Sequence, residues 1–117
     1  MSTRIFGIKN CDTVKKSLVY LEKHHIAYEF HDYKKLGIEA SKIKEWLKSV
    51  KLEHLINTKG PTYRNLSDEE KLKLTKVSTA IPVMQANTSI IKRPLIEHMG
   101  EIILGFNAEE YSRCFKL

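Results

Sequence analysis

The first third of the chain combines a strand, a helix and a second strand with short joints, and this order limits the possible folds most. The segment "TRIFGI" (3–8) has the apolar character of a buried strand, and "AYEFHDY" (27–33) alternates aromatic and polar residues as a second strand does. Between them, Val14, Leu18 and Leu21 recur at helical spacing. A helical connection predicts that the two strands run parallel, with a right-handed crossover.

The middle of the chain is predicted to be helical. Its helices are predicted from about 39, within 51–66, from 67 and over 79–87. Ser67, with Glu70 three residues later, forms the capping-box pattern of a helix start. Pro82 is expected near the first turn of its helix, where a missing N–H group costs least.

The last third changes from helices to a hairpin. Residues 89–106 predict two strands around Met99-Gly100, where glycine can take a positive φ, and Asn107 is the predicted cap of a closing helix. The parallel pair and the hairpin together predict a mixed four-stranded sheet flanked by helices, the layout of an α/β, thioredoxin-like domain. We expect a single domain over 1–117, with a helical insertion over about 38–88.

Composition narrows the class of protein further. The chain has 117 residues, the usual length of one domain, and no apolar run approaches the roughly 20 residues of a membrane span. Its N-terminal segment lacks the apolar stretch of a signal peptide, so we expect a cytoplasmic protein whose two cysteines are free thiols. The net charge is +6, but scattered lysines without interleaved aromatics disfavour nucleic-acid binding.

Cys11 lies in "IKNCDTVKK" (8–16), where a strand gives way to a helix. The unpaired N–H groups of a helix start favour a thiolate, and Lys15 on the same helical face adds positive charge. This arrangement favours a nucleophilic cysteine over a small turn residue. Position 14 is a valine, so the motif has no CxxC pair. A mixed disulfide on Cys11 therefore needs an outside thiol such as glutathione, or Cys114, to resolve it. Cys114 itself is interpreted as a packing residue.

The stretch "IIKRPL" (90–95) is a second candidate site. Arg93 offers a guanidinium to an anion, and Pro94 fits the first position of a strand. The five histidines lack the cysteine or carboxylate spacing of a zinc site, and the chain has no Gly-rich phosphate loop. Neither a metal site nor a bound cofactor is predicted.

Five stretches of the sequence together carry a resemblance to a known family. They are "FGIKNCDT", "FHDY", "NTKGPTYR", "IIKRPL" and "ILGF", and they run through nearly the whole chain. With them the sequence resembles the ArsC-related family, which includes glutaredoxin-linked arsenate reductases, Spx transcription regulators and the small YffB proteins. It is closest to the YffB subgroup. The resemblance implies a thioredoxin-like fold with an inserted helical segment.

The resemblance also implies roles for residues near the cysteine. Cys11 matches the family nucleophile, Lys15 stands where the arsenate reductases have an arginine, and Gly7 stands where they have a histidine. Thioredoxin-like domains place a cis-proline beside the nucleophilic cysteine. The Arg93-Pro94 bond is therefore expected to be cis, with the Arg93 guanidinium directed toward Cys11.

Arsenate reductases of the family hold their oxyanion with three arginines. Of these, the present sequence keeps Arg93. The other two fall on or near Asn57 and Phe106, and Lys59 or Arg64 are possible substitutes for the first. A doubly charged oxyanion needs several fixed donors, so the resemblance predicts inefficient arsenate reduction.

Three functions are consistent with these features. The favoured one is an ArsC-like thiol reductase that uses Cys11 as nucleophile, with glutathione or a glutaredoxin-type protein as reductant. Glutathione carboxylates or an anionic substrate would be held by Arg93, Lys15 and either Lys59 or Arg64. The cis bond at Pro94 would offer main-chain polar groups to a peptide-like ligand such as glutathione. The alternatives are an arsenate reductase with the same nucleophile, and a non-enzymatic Spx-like regulator that binds RNA polymerase. The missing CxxC pair disfavours the regulator.

Overall fold

The strands of the protein form one mixed sheet. The structure, a computed structural model, describes residues 3–117, and its strands are β1 (Thr3–Gly7), β2 (Glu29–Asp32), β3 (Leu95–His98) and β4 (Glu101–Leu104). In the order β2-β1-β3-β4, β1 runs parallel to β2 and antiparallel to β3, which is antiparallel to β4. The predicted parallel pair and hairpin are confirmed. With its flanking helices, this four-stranded sheet has the expected thioredoxin-like layout.

Eight helices accompany the sheet in the described part of the chain. They are α1 (Asp12–Lys23), α2 (Tyr33–Leu36), α3 (Ala40–Trp46), α4 (Leu52–Leu55), α5 (Pro61–Arg64), α6 (Asp68–Lys73), α7 (Val77–Ala86) and α8 (Ala108–Cys114). None of them has the length and apolar character that a bilayer span requires.

The chain divides into two units, one built on the sheet and one helical. Residues 3–36 and 93–117 form the first unit, with α1, α2 and α8. Residues 37–92 form the second, with α3 to α7. The helical insertion expected over about 38–88 lies inside the second unit. The assignment of 1–117 to a single domain stays a prediction.

Aliphatic residues of the sheet pack against α1 and α8 in the first unit. The fully or nearly fully buried members of this cluster are Ile5, Leu21, Ile96, Ile103 and Tyr111. They occupy inward-facing positions, because side chains alternate along each strand and recur every third or fourth residue along a helix. Removal of their apolar surface from water is the main driving force for this packing.

The β3–β4 hairpin closes through Met99 and Gly100, as predicted. Their φ angles are 48° and 83°, so both central residues of the two-residue turn have positive φ. This is the conformation whose twist matches that of the flanking strands. Met99 therefore adopts a conformation that a non-glycine residue seldom takes, with its side chain exposed.

The second unit confirms one helix start and corrects another. The Ser67 hydroxyl accepts from the Glu70 N–H group at 3.1 Å, and the Glu70 carboxylate accepts from the Ser67 N–H group, which completes the predicted capping box. Pro82 was expected near the first turn of α7, but the helix begins at Val77 and Pro82 lies in its second turn. Both Pro82 and Ser78, whose carbonyl loses a helical partner, are exposed, so water can satisfy that group.

The chain before β3 is not extended throughout, in contrast to the prediction for 89–106. Thr88–Ile90 forms a 3-10 turn instead. The segment is held by backbone hydrogen bonds: the Asn57 N–H group donates to the Ile90 carbonyl at 2.7 Å, and the Lys92 N–H group donates to the Leu55 carbonyl at 2.8 Å. These long-range bonds fix its conformation, which local sequence does not report.

Candidate active site

Cys11 occupies the N-cap position of α1, at the joint between β1 and the helix. Its backbone is extended, with φ −140° and ψ 123°. Its carbonyl accepts a hydrogen bond from the Lys15 N–H group at 2.9 Å, which closes the first helical turn. The side chain is half-buried. The thiol therefore lies beside the backbone N–H groups that have no partner within the helix.

The cation that the structure brings to this thiol is Arg93, from the segment before β3. Burial by itself would raise the pKa of Cys11. Four interactions lower it. The Val14 and Thr13 N–H groups donate hydrogen bonds to the sulfur, and the Arg93 guanidinium contributes both a hydrogen bond and its positive charge. Together they lower the pKa of Cys11 below its ordinary value, and so favour the nucleophilic thiolate.

The bond between Arg93 and Pro94 is cis, as predicted. Pro94 is buried, and its carbonyl accepts a hydrogen bond from the Gly105 N–H group at 2.8 Å. That bond joins the residue before β3 to the residue after β4. The Arg93 side chain is also directed toward Cys11, as expected from the resemblance, because it hydrogen-bonds to the sulfur.

Gly7, at the end of β1, lets α1 approach the sheet closely. A Cβ atom at this position would lie 2.8 Å from Cγ2 of Val14, well inside van der Waals contact. Val14 is completely buried, and its N–H group is one of the donors that favour the Cys11 thiolate. The absence of a side chain at Gly7 thus permits the packing that fixes the first turn of α1.

A buried hydroxyl pair anchors α1 to α8. The Tyr111 hydroxyl donates to the Gly105 carbonyl at 2.6 Å and lies 2.9 Å from the Ser17 hydroxyl. Because the single proton of Tyr111 is used on Gly105, Ser17 is the donor to Tyr111, and it shares that proton with the Thr13 carbonyl at 3.0 Å. Burial raises the pKa of Tyr111 to about 12, so the phenol stays protonated at neutral pH.

The remaining candidates, Lys15, Lys59 and Arg64, are exposed. Lys15 lies on α1 in the first unit. Lys59 and Arg64 belong to the second unit, where Arg64 donates from Nη2 and Nε to the Lys59 carbonyl at 2.6 and 3.2 Å. The Lys59 N–H group in turn donates to Oδ1 of Asn57 at 3.1 Å. Asn57, Lys59 and Arg64 thus form one local hydrogen-bonded loop. The roles of Lys15, Lys59 and Arg64 in ligand binding stay predictions.

Sequence reasoning did not identify Gly7, Ser17 or Tyr111 as supports of the site. For Gly7 the sequence had offered a signal, because the resemblance implies a histidine at this position in the arsenate reductases of the family. Ser17 and Tyr111 lie far apart in sequence and had none. Within residues 3–117, no group of three or more His, Cys, Asp or Glu side chains is placed to hold a metal ion.

Comparison with known proteins identifies similar proteins that match this chain over most of their length. The solved structure named YFFB protein superimposes with a TM-score of 0.91 and 36% identity, covering 97% of this chain and 98% of that one. An arsenate reductase (ArsC) related protein from Brucella melitensis gives a TM-score of 0.75 and 43% identity, covering 100% and 97%. The global transcriptional regulator Spx of Listeria innocua is 25% identical over 112 residues, covering 93% of this chain and 83% of the regulator.

The model of one protein family covers most of the sequence. It matches residues 6–114, a span that contains Cys11 and Arg93 together with the end of β1 and the whole of β2, β3 and β4. The resemblance seen in the sequence motifs is thereby confirmed over nearly the whole chain. The chain belongs to the ArsC family.

Proposed function

We propose that this protein is a cysteine-dependent thiol reductase, with Cys11 as its nucleophile and glutathione as its co-substrate. The observation that carries the proposal is the Cys11 sulfur at the start of α1 with the Arg93 guanidinium hydrogen-bonded to it. Both the helix start and the guanidinium stabilise the anionic sulfur, which is the species that attacks disulfides.

The reaction has two thiol–disulfide exchanges that begin and end with the Cys11 thiolate. In the first, the thiolate attacks the glutathione sulfur of a mixed disulfide between glutathione and a substrate thiol. The Cys11–glutathione bond forms, and the substrate leaves as a thiolate. In the second, the thiolate of a free glutathione attacks the glutathione sulfur on Cys11. Oxidised glutathione leaves, and the Cys11 thiolate is regenerated with one substrate disulfide reduced.

An outside thiol is required because Cys114 is poorly suited to resolve the intermediate. Its side chain is 7% exposed and belongs to the core cluster of the first unit. Burial and then the Glu101 carboxylate raise the pKa of Cys114 above its ordinary value. A buried, protonated thiol is a weak nucleophile, so a freely diffusing thiol is the better resolving partner.

Arg93 has two roles in this scheme. Its charge holds Cys11 as the thiolate before attack and stabilises the same anion when it leaves in the second exchange. Its forked N–H groups also match the geometry of a glutathione carboxylate. Lys15, on the first turn of α1, supplies a second positive charge for the glutathione tripeptide, and Lys59 and Arg64 remain proposed carboxylate ligands.

The test is intact-mass analysis after incubation with oxidised glutathione. The wild-type protein and the Cys114→Ser variant should each gain one glutathione, and Cys11→Ser should gain none. Reduced glutathione should then remove the adduct from the first two proteins. Modification that persists in Cys11→Ser but not in Cys114→Ser would show that Cys114 is the reactive thiol, and would overturn the proposal.

The Spx relative supports a second candidate, a regulator that binds RNA polymerase. Val14 argues against this candidate, because it stands where the second cysteine of the CxxC pair is expected in such regulators. The two functions separate in a binding experiment with purified RNA polymerase. Stable binding by the Cys11→Ser variant, together with absence of glutathione exchange in the wild type, would favour the regulator.

A further inference from the structure

A shallow groove runs along the exposed side of α1, the helix that begins directly after Cys11. Its volume is about 570 Å³. We call it the α1 groove, and its main lining residues are Lys15, Lys16, Val19, Tyr20, Lys23 and Phe106. All belong to the first unit, and the groove is distinct from the contacts that set the state of the thiol.

The groove combines an apolar floor with a positive rim. Val19 is 63% exposed, and it lines the groove together with the half-buried rings of Tyr20 and Phe106. These rings are packed edge to face, with centroids 5.9 Å apart, so the two aromatic side chains support each other in the floor of the groove. An exposed apolar strip with a polar rim is typical of a surface that binds another molecule.

The charge of the rim selects the sign of the partner. Lys15, Lys16 and Lys23 line the groove and are exposed, and Asp12 is the one acidic residue among its described lining residues. Lysine stems also cover apolar surface while the ammonium groups stay in water. A partner that fits this groove carries negative charge around at least one apolar side chain.

The length of the groove argues for a protein segment rather than for glutathione alone. Asp12 and Lys23 line its two ends and are 11 residues apart on one helix. At a rise of 1.5 Å per residue, this corresponds to about 16 Å. A fully extended tripeptide spans only about 10 Å. Glutathione attached at Cys11 would therefore leave the far half of the groove uncovered.

We infer that the α1 groove docks an acidic segment of the protein whose glutathione mixed disulfide Cys11 reduces. This inference rests on the proposed function, since it assigns the class of substrate to that reaction. Cys11 is the N-cap residue of α1 and directly precedes Asp12, which lines the groove. A segment docked along α1 would therefore bring a neighbouring mixed disulfide to the end of the helix that holds the thiolate. A nucleic acid also has negative charge and stackable bases, but it has no sulfur for the thiol at the end of the groove.

The experiment compares two peptides that carry the same glutathione mixed disulfide and differ in charge. Each peptide has 12 residues with a glutathionylated cysteine near one end and a leucine in the middle, and four further positions are all Glu or all Lys. The rate of glutathione transfer to Cys11 is measured by mass spectrometry in the Cys114→Ser protein, with oxidised glutathione as a small reference disulfide. At low salt, the acidic peptide should react at least about tenfold faster than the basic one, because opposite charges accelerate encounter.

Matched variants assign the effect to the groove. Lys16→Glu/Lys23→Glu should abolish the preference for the acidic peptide, and Lys34→Glu/Lys35→Glu, with the same charge change on exposed residues of α2, should retain it. Each rate is divided by the rate with oxidised glutathione, which removes any effect of the substitutions on the thiol itself. Val19→Ser should slow the leucine peptide relative to a matched serine peptide. Equal rates for the acidic and basic peptides, or equal loss in both lysine pairs, would overturn the inference.

A binding measurement separates failure of docking from failure of the chemistry. The acidic peptide with serine in place of cysteine and a fluorescent label is titrated with the Cys11→Ser protein, and anisotropy reports docking without any exchange. Docking without transfer would reject the proposed reductase activity and support the α1 groove as a docking surface. Transfer from oxidised glutathione without docking or charge preference would reject the docking role of the groove and support the reductase activity. Displacement of the peptide by a 20-nucleotide oligothymidylate at lower concentration than by unlabelled peptide would also overturn the assignment to a protein.

Discussion

The Arg93 guanidinium hydrogen-bonds to the Cys11 sulfur, and so links the segment before β3 to the start of α1. The two residues are far apart in sequence, and the antiparallel pairing of β1 with β3 brings their segments together. A guanidinium keeps its charge at every physiological pH, so it acts as a permanent counter-charge for the thiolate. The state of the nucleophile therefore depends on the fold of the sheet as well as on the helix start.

Removal of the Arg93 charge should raise the pKa of Cys11. In a Cys114→Ser background, thiolate absorbance should titrate below the ordinary cysteine value of about 8.5, and Arg93→Met should shift the titration upward. Arg93→Lys should give an intermediate pKa, because it keeps the charge without the forked donor. Lys92→Met, the neighbouring exposed lysine, serves as the control for a lost charge. An unchanged pKa in Arg93→Met would contradict the role assigned to the guanidinium.

The lowered pKa of Cys11 should also make folding stability depend on pH. Between the folded-state pKa and the unfolded value of about 8.5, the unfolded chain binds more protons at this site than the native protein. Stability from the thiolate is therefore complete above the unfolded pKa, and is lost as pH falls through the folded pKa. Urea unfolding of Cys114→Ser, with and without Cys11→Ser, should give a free-energy difference that grows with pH across this window. A difference that is constant or falls with pH would contradict the assignment.

Gly7→Ala should destabilise the protein and disturb the thiol. The added Cβ would lie 2.8 Å from Cγ2 of the buried Val14, so the helix or the strand must shift. Overpacking of this kind typically costs about 1–3 kcal/mol. Because the Val14 N–H group favours the thiolate, the same shift should raise the pKa of Cys11. Val14→Ala in the Gly7→Ala protein should recover part of the lost pKa shift, and failure of this rescue would locate the strain elsewhere.

The sequence was sufficient for the elements whose signals are local. The strand–helix–strand order, the Ser67 capping box and the Met99-Gly100 turn were each predicted from residues close together in the chain. The motif resemblance added the cis bond before Pro94 and the direction of Arg93. Both were found as expected.

The remaining features depend on tertiary contacts. Lys15 was the obvious cation from helical spacing, but the sequence pattern cannot place Arg93 on the sulfur without the β1–β3 pairing. The Ser17–Tyr111 hydroxyl pair joins two helices at opposite ends of the chain and has no local signature. Pro82 lies in the second turn of α7 because that helix starts at Val77, two residues before the predicted start at position 79.

Tyr33→Phe and Tyr111→Phe should have different effects on stability. The buried hydroxyl of Tyr33 has no hydrogen-bond partner among residues 3–117, and burial raises the pKa of this phenol strongly. Its removal should leave stability unchanged or raise it by up to about 1 kcal/mol. The Tyr111 hydroxyl bonds Gly105 and Ser17, so its removal leaves buried partners unsatisfied and should cost about 1–3 kcal/mol. Chemical denaturation of both variants tests the pair; equal losses would mean that the Tyr33 hydroxyl has a partner in solution.

Arsenate should be a poor substrate, because the sequence resemblance implies that the chain keeps one of the three arginines with which the family arsenate reductases hold their oxyanion. Position 57 is Asn and position 106 is Phe, and the Phe106 ring packs against Tyr20 and Tyr111 with no charge to offer. Loss of a single oxyanion donor commonly lowers turnover by about 10²–10³. In an assay coupled to glutathione and glutaredoxin, turnover should be at least about 10²-fold below that of a three-arginine relative.

Restoration of the missing charges provides the internal control for that prediction. Asn57→Arg/Phe106→Arg should raise arsenate turnover over the wild type, and glutathionylation of Cys11 in the same variant verifies that the thiol stays intact. Asn57→Lys/Phe106→Lys adds the same charge without forked donors, so it should gain less. Wild-type turnover equal to that of a three-arginine relative would mean that other cations rebuild the oxyanion site, and Lys59→Met and Arg64→Met would then identify them. If turnover is low in the wild type and rises only with arginine, the number of forked donors limits the reaction, because the nucleophile and Arg93 are unchanged throughout.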